Sequence, residues 1–167
     1  MKFHQIFKAA IHEPKKLAAF RLLPIGKVFR YVFIFVTLLT LISFSRYLIG
    51  DTAFFESSPE LKKHGEKIGW LIYPIAFVLQ IVISTFYVFI RISVFAYIGL
   101  LLVKLMKRRG QYQHMFKTSA IAMTVPILLT ILLDFNPLLG IINLLISSVI
   151  HFMYIGAAAR YYPKKLK

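Results

Sequence analysis

The chain has no cysteine among its 167 residues. That excludes disulfides, thiolate metal centres, lipoprotein anchoring and a cysteine nucleophile. Carboxylates are scarce as well: six Asp and Glu stand against 21 Lys and Arg. Four of the six, Asp51, Glu56, Glu60 and Glu66, crowd into one short segment without the ligand spacing of a calcium loop. They read as a solvated surface. No HExxH, nucleophile elbow, phosphate loop or pair of intramembrane carboxylates occurs. The five histidines, His4, His12, His64, His114 and His151, are scattered along the chain. The expectation is therefore a protein that is not an enzyme and needs no cofactor or metal.

What the chain has instead is long apolar runs. They extend over about 28–49, 68–103, 118–133 and 138–159. At 1.5 Å per helical residue, each can cross, or nearly cross, a hydrocarbon core of about 30 Å. Apolar residues make up 59% of the chain, above the roughly 45–50% of a soluble domain. The fold class expected is all-α, a polytopic transmembrane helix bundle of four spans, forming a single integral membrane domain over 1–167. No small-residue cleavage site follows the first run, so it is expected to remain in the mature protein. The net charge of +15 would suggest nucleic acid in a soluble protein. Here the charges flank apolar spans, so anionic membrane lipids are the expected partners and nucleic acid is not.

The distribution of charge gives an orientation. Residues 1–30 carry seven Lys and Arg, 104–117 carry five and 160–167 carry four, whereas 50–67 carry three and 134–137 none. Four crossings with both termini in the cytoplasm satisfy the positive-inside rule. The stretch 68–103 would form a helix of about 54 Å, too long for one perpendicular crossing. One long tilted or bent helix keeps the charge rule; the alternative, five spans with a break near Arg91, sacrifices it.

Residues 1–27 read as an interfacial amphipathic segment. Phe3, Ile6, Phe7, Ala10 and Ile11 follow helical spacing on one face, with Lys2, Gln5, Lys8 and His12 opposite. Pro14 fits the first turn of a second short helix and Pro24 its end. The plainer reading is an anchor in the headgroup plane; the sharper one is a docking helix for a cytoplasmic protein. Ser58, Pro59 and Glu60 have the order of a helix start, with Ser58 as N-cap.

The spans carry polar residues at helical spacing. The fourth has Gly140, Asn143, Ser147, His151, Tyr154 and Ala158, and the second has Gln80, Ser84, Tyr87 and Arg91. The third has Ser119, Met123, Pro126, Thr130 and Asp134, and the first has Thr37, Thr40 and Tyr47. Lipid offers these groups no hydrogen-bond partner, so the stripes are expected to face one another. Gln80, Ser84, Arg91, Pro126, Asn143, Ser147 and His151 make up the candidate intramembrane cluster. Arg91 lies about 18 Å from the end of its span, with Ser147 and His151 at a similar depth. Pro126 lacks an N–H and frees the carbonyl of Ala122. That carbonyl, Asn143, Ser147, water or a lipid phosphate could satisfy Arg91. Arg46 and Asp134 fall near the outer surface as a candidate pair. An intramembrane charge is a functional candidate by default; the competing reading makes Arg91 a structural strut. The Lys107-Arg108-Arg109-Gly110 run could grip phosphates, but basic residues at a helix end are ordinarily topology determinants.

Phe3-His4-Gln5-Ile6-Phe7-Lys8, Glu13-Pro14-Lys15-Lys16, Phe20-Arg21 and Ile25-Gly26-Lys27 resemble the opening of a Gram-positive membrane family, domain of unknown function 1189. Thr118-Ser119-Ala120-Ile121-Ala122-Met123-Thr124-Val125-Pro126 is similar to its Thr-Ala-rich, Pro-kinked span. Some members of that family carry a maltodextrin-utilisation label, and the wider grouping resembles Yip-type membrane proteins. The resemblance brings no catalytic residues. The chain departs from the family in its short outer loop. Together these features lead us to expect a non-catalytic multipass accessory or scaffold protein of the bacterial plasma membrane, working with another membrane or cytoplasmic protein. The alternative is a small lipid- or solute-handling protein with a polar cavity around Arg91.

Overall fold

The computed structural model describes residues 3–56, 59–134 and 140–164. These form seven α-helices: α1 (Phe3–His12), α2 (Pro14–Ala19), α3 (Ile25–Glu56), α4 (Pro59–Leu105), α5 (Tyr112–Ala122), α6 (Thr124–Leu133) and α7 (Gly140–Ala159), with a single 3₁₀ turn at Phe20–Leu22. The fold is all-α. Among the described residues, four stretches are long and apolar enough to cross a membrane: Ile25–Ile49, Tyr73–Leu105, Tyr112–Leu133 and Ile141–Ala159. These mark the chain as a membrane protein. Helix α4 passes unbroken through Arg91, so the five-span alternative, which needed a break there, is not the one observed. The suggested Ser58 N-cap and the turn at 135–137 lie outside the described residues, and the side chains of Asp51, Glu56, Glu60 and Glu66 are likewise not described.

Proline punctuates the chain as its lost N–H requires. Pro14 occupies the first turn of α2, where that N–H would have no partner anyway. The Pro24 carbonyl accepts from Lys27 and Val28 (3.0 and 3.4 Å) at the start of α3. Pro126 sits one turn beyond Met123, the residue that separates α5 from α6. Backbone bonds still bridge the break, with Met123 N–H donating to Ser119 O (3.0 Å) and Ile127 N–H to Met123 O (2.9 Å). The two short helices thus act as one kinked span.

Contacts divide the chain into two units: residues 1–35 with 89–167, and residues 36–88. In the first unit, α1 packs on α2, α5 and α6, α2 packs on α5 and α7, and α7 packs on α5 and α6. Protein covers part of the apolar face of α1: Ile6, Ala9 and Ala10 are buried and Phe7 and Ile11 half-buried, while Phe3 is exposed, as are Lys8 and His12. Phe3, Phe7, Tyr31 and Phe35 form an aromatic cluster with ring centroids 5.1–6.4 Å apart. Tyr31 and Thr124 share a hydroxyl bond of 2.7 Å. Tyr154 donates to Ile11 O (2.9 Å) and pins the end of α1 to α7. At Gly99 a Cβ would fall 2.3 Å from Met115 Cε and 2.7 Å from Ile155 Cγ2. Close approach of α4 to α5 and α7 therefore depends on the missing side chain, as in small-residue packing of membrane helices.

One end of the first unit is tied by polar bonds. Lys107 has φ 54° in a helix C-cap of Schellman type. Arg108 N–H donates to Val103 O (2.9 Å) and Lys107 N–H to Lys104 O (3.0 Å). Glycine or asparagine is usual at that position, and a lysine there bears strain of about 1–2 kcal/mol. The reversal lets Arg109 N–H reach Pro163 O (2.7 Å) and the Arg108 guanidinium donate to Tyr162 O. Gly110 approaches Val103 closely enough that a Cβ would lie 2.9 Å from its Cγ1. Lys117 donates to Arg21 O (3.2 Å) from α5. The basic N-terminal segment, the α4–α5 connection and the C-terminal segment consequently meet.

In the second unit, α3 and α4 meet through Phe44 and Phe77, edge to face at 5.0 Å. Of Thr37, Thr40 and Tyr47, only Thr40 is buried. The apolar residues Val36 and Leu39 of this part of α3 are buried as well. Hydroxyls elsewhere in this unit bond back to their own helix, Ser45 to Leu41 O (2.8 Å) and Thr85 to Ile81 O (2.7 Å). Such back-bonding makes a hydroxyl tolerable on a face turned to lipid.

Candidate functional site

The first unit sets a few polar side chains within a largely apolar core. On α7, Ile141, Leu145, Val149 and Met153 are exposed, whereas Asn143, Ser147 and His151 are buried. The spacing of three and four puts the polar residues on one face. That face meets α6 and the C-terminal part of α4.

Arg91 is 7% exposed. Its Nη2 donates to Ser147 Oγ at 2.6 Å, a charge-assisted contact. Ser147 Oγ lies 3.1 Å from Pro126 O and 2.9 Å from Thr130 Oγ1, and Thr130 Oγ1 is 2.9 Å from Pro126 O. The single serine proton goes to one of these two acceptors. The Pro126 carbonyl therefore gathers the hydroxyls of α6 and α7. Ser147 is among the partners expected for Arg91, and the acceptor the hydroxyls share is the carbonyl of Pro126 itself. Further along, both amide protons of Asn143 are used, one on Thr130 O (3.1 Å) and one on Asp134 Oδ1 (2.7 Å).

His151 belongs to a neighbouring layer. Its Nε2 is 3.2 Å from Ser119 O and 3.3 Å from Ser119 Oγ. A carbonyl only accepts, so Nε2 carries the proton in that bond. The Ser119 hydroxyl in turn donates to Ile92 O (3.0 Å) and links α5 to α4. Phe95 stacks on the His151 ring at 4.3 Å and lies 6.0 Å below the Arg91 guanidinium. Phe95 is absent from the candidate set drawn from the sequence. Its spacing of four from Arg91 was a usable signal. Oδ1 of Asn143 and Nδ1 of His151 have no hydrogen-bond partner among the described residues.

The structure therefore brings Arg91, Pro126, Asn143, Ser147 and His151 together in the first unit. Gln80 and Ser84 lie in the second unit, where Gln80 Nε2 is 3.5 Å from Ser84 Oγ and Ser84 is buried. Arg46 is an exposed residue of α3 in the second unit, and Asp134 closes α6 in the first.

Beyond the spans, Tyr162 is buried and its hydroxyl shares a bond of 2.7 Å with Thr118 Oγ1. Burial pushes its phenol above the usual tyrosine value, against the smaller opposing effects of the Thr118 bond and the Arg21 charge.

Residues 57–158 match the family described as Protein of unknown function (DUF1189). The chain belongs to this family. The DUF1189 match covers more than half of the chain, from just before α4 nearly to the end of α7, and includes every residue of the Arg91–Ser147–Thr130–Asn143 path. It leaves α1, α2 and α3 outside. No curated protein and no solved structure matches the chain.

Proposed function

We propose that this DUF1189 protein is a non-catalytic multipass accessory or scaffold protein of the bacterial plasma membrane, with both termini in the cytoplasm. The observation that carries the reading is how the buried polar groups use their hydrogen bonds. Arg91, Ser147, Thr130 and Asn143 bond to one another and to helix carbonyls, and Ser119 ties α4, α5 and α7. Interhelical bonds of this kind fasten membrane helices together. The polar interior acts as a set of struts for a platform, and the charged ends are where another molecule is met. The meeting of the three basic segments at one end supports the orientation, since the positive-inside rule assigns all three to the cytoplasm.

A lipid- or solute-handling role centred on Arg91 needs a guanidinium open to a ligand. That reading is less favoured, because Arg91 is buried against Ser147 and Phe95. The accessory reading is tested by crosslinking in native membranes from the exposed residues Lys8 and Gln113, followed by purification under denaturing conditions. Recovery of the same membrane or cytoplasmic protein in repeated experiments is expected. Recovery of nothing above an untagged control would count decisively against it.

A further inference from the structure

The tied end of the first unit forms an open cavity of about 610 Å³. That is within the range of small-molecule sites, roughly 300–1,000 Å³. Arg21, Lys104, Arg108 and Arg109 line it, and no acidic residue does. The four cations come from three parts of the chain: the 3₁₀ turn, the last turn of α4 and the α4–α5 connection. None of the four is paired with a carboxylate among the described residues. Basic residues that serve only as topology determinants are free to spread into solvent and screen one another. Here they are held around a concavity, where like charges repel unless an anion sits between them.

The holding is structural. Arg21 lies over the Tyr162 ring at 5.1 Å, with its carbonyl bound by Lys117. Arg108 gives one of its five N–H groups to Tyr162 O, leaving the rest of the fork for a ligand. Arg109 is anchored through its backbone to Pro163, which leaves its guanidinium for a ligand. The left-handed Lys107 and the tight Gly110 make the reversal that aims both arginines.

A second feature points the same way. Helix α5 starts at the cavity wall, where Gln111 is its N-cap residue and His114 lies in its first turn. Gln111 makes no side-chain cap bond, and the first turn has no acidic residue. An uncapped helix N-terminus presents backbone N–H groups and a partial positive charge. Bidentate arginine and free helix N–H groups are the donors that recognise tetrahedral oxyanions. Leu22, 72% exposed, adds an apolar wall beside them.

We propose that this cavity binds a phosphate group, carried either by an anionic phospholipid headgroup or by a water-soluble phosphate compound. The proposal does not depend on the accessory role. Crosslinking reads a protein partner, whereas the following measurement reads an anion, so either idea can fail alone.

The test uses the full chain, delipidated in neutral detergent. Native mass spectrometry measures retention of phosphatidylglycerol against phosphatidylcholine. Thermal unfolding measures stabilisation by inorganic pyrophosphate at constant ionic strength. The variant is Arg108→Gln with Arg109→Gln. The control is Lys15→Gln with Lys27→Gln, which removes equal charge from exposed residues that do not line the cavity. Loss of two charge-assisted contacts is expected to weaken binding by about tenfold or more, and the control by less than about twofold. Pocket-dependent loss of phosphatidylglycerol identifies a headgroup. Pocket-dependent loss of pyrophosphate stabilisation, without a lipid effect, identifies a soluble phosphate. Equal losses in variant and control would reduce the effect to general surface charge and overturn the site, as would no binding of either probe. Should the Arg108 variant not fold, Lys104→Gln with Arg109→Gln decides in its place, since neither side chain holds a hydrogen bond among the described residues.

Discussion

At the scale of single residues, the chain separates hydroxyls that hold the fold from hydroxyls that are merely tolerated. Ser147 receives Arg91 and meets Thr130 and Pro126 O, all inside the first unit. Thr85 bonds only within its own helix. Ser147→Ala is expected to destabilise the protein by about 2 kcal/mol, because it removes a bond to a charged group in a buried site. Thr85→Ala should stay within about 0.5 kcal/mol. Denaturation midpoints in mixed micelles compare the two, and equal midpoints would deny Ser147 its role. Lys107 gives a prediction of the opposite sign. Lys107→Gly keeps the left-handed turn without the Cβ penalty, so a gain of about 1 kcal/mol is expected. A loss in the same assay would mean that the lysine side chain supplies something beyond the turn. Residue spacing makes part of this legible in advance. Asn143, Ser147 and His151 share a helical face by counting alone, and all three are buried. That the Pro126 carbonyl is the common acceptor cannot be counted, because every residue has a carbonyl and only packing selects one.

At the scale of elements, the long spans are the most legible feature, since hydrophobic length dictates them before any contact forms. The cores of the four runs reappear as helices within a few residues. Long charged or polar flanks extend some of them further, so α3 continues to Glu56 and α4 starts at Pro59. Burial of α1 against α5 and α6 was not legible: an amphipathic face looks the same whether lipid or protein covers it. Close helix approach lies between these cases. The sequence has eight glycines, and nothing local distinguishes Gly99 from Gly156. In the fold, a methyl at Gly99 would strike Met115 and Ile155, whereas one at Gly156 meets nothing within 4 Å. Gly99→Ala is expected to cost about 1–3 kcal/mol, tempered by the flexible end of Met115. Gly156→Ala should be neutral or gain up to about 1 kcal/mol from helix propensity. Parallel unfolding curves show whether the order holds; a Gly99→Ala protein as stable as Gly156→Ala would refute the tight contact.

At the scale of the whole chain, charge and contact lead to the same arrangement by separate routes. The charge route counts lysines and arginines in the segments between spans and needs no structure. The contact route uses bonds within the first unit: Lys117 to Arg21 O, Arg108 to Tyr162 O and Arg109 N–H to Pro163 O. Residues up to 142 positions apart in sequence, Arg21 and Pro163, thereby line one cavity. No local pattern announces such a juxtaposition, which is why the Lys107–Gly110 run reads as an ordinary helix-end flank until the fold places Arg21 beside it. If the three basic segments share a side, they must share it in the membrane too. The absence of cysteine makes this directly measurable, because a single introduced thiol needs no background removed. Lys8→Cys, Gln113→Cys and Lys164→Cys are each expected to resist a membrane-impermeant maleimide in intact cells and to label after permeabilisation. Lys62→Cys, between the first two spans, is expected to label in intact cells. Labelling of Gln113→Cys together with Lys62→Cys would place the α4–α5 connection opposite the termini, and the four-span arrangement would then have to be abandoned.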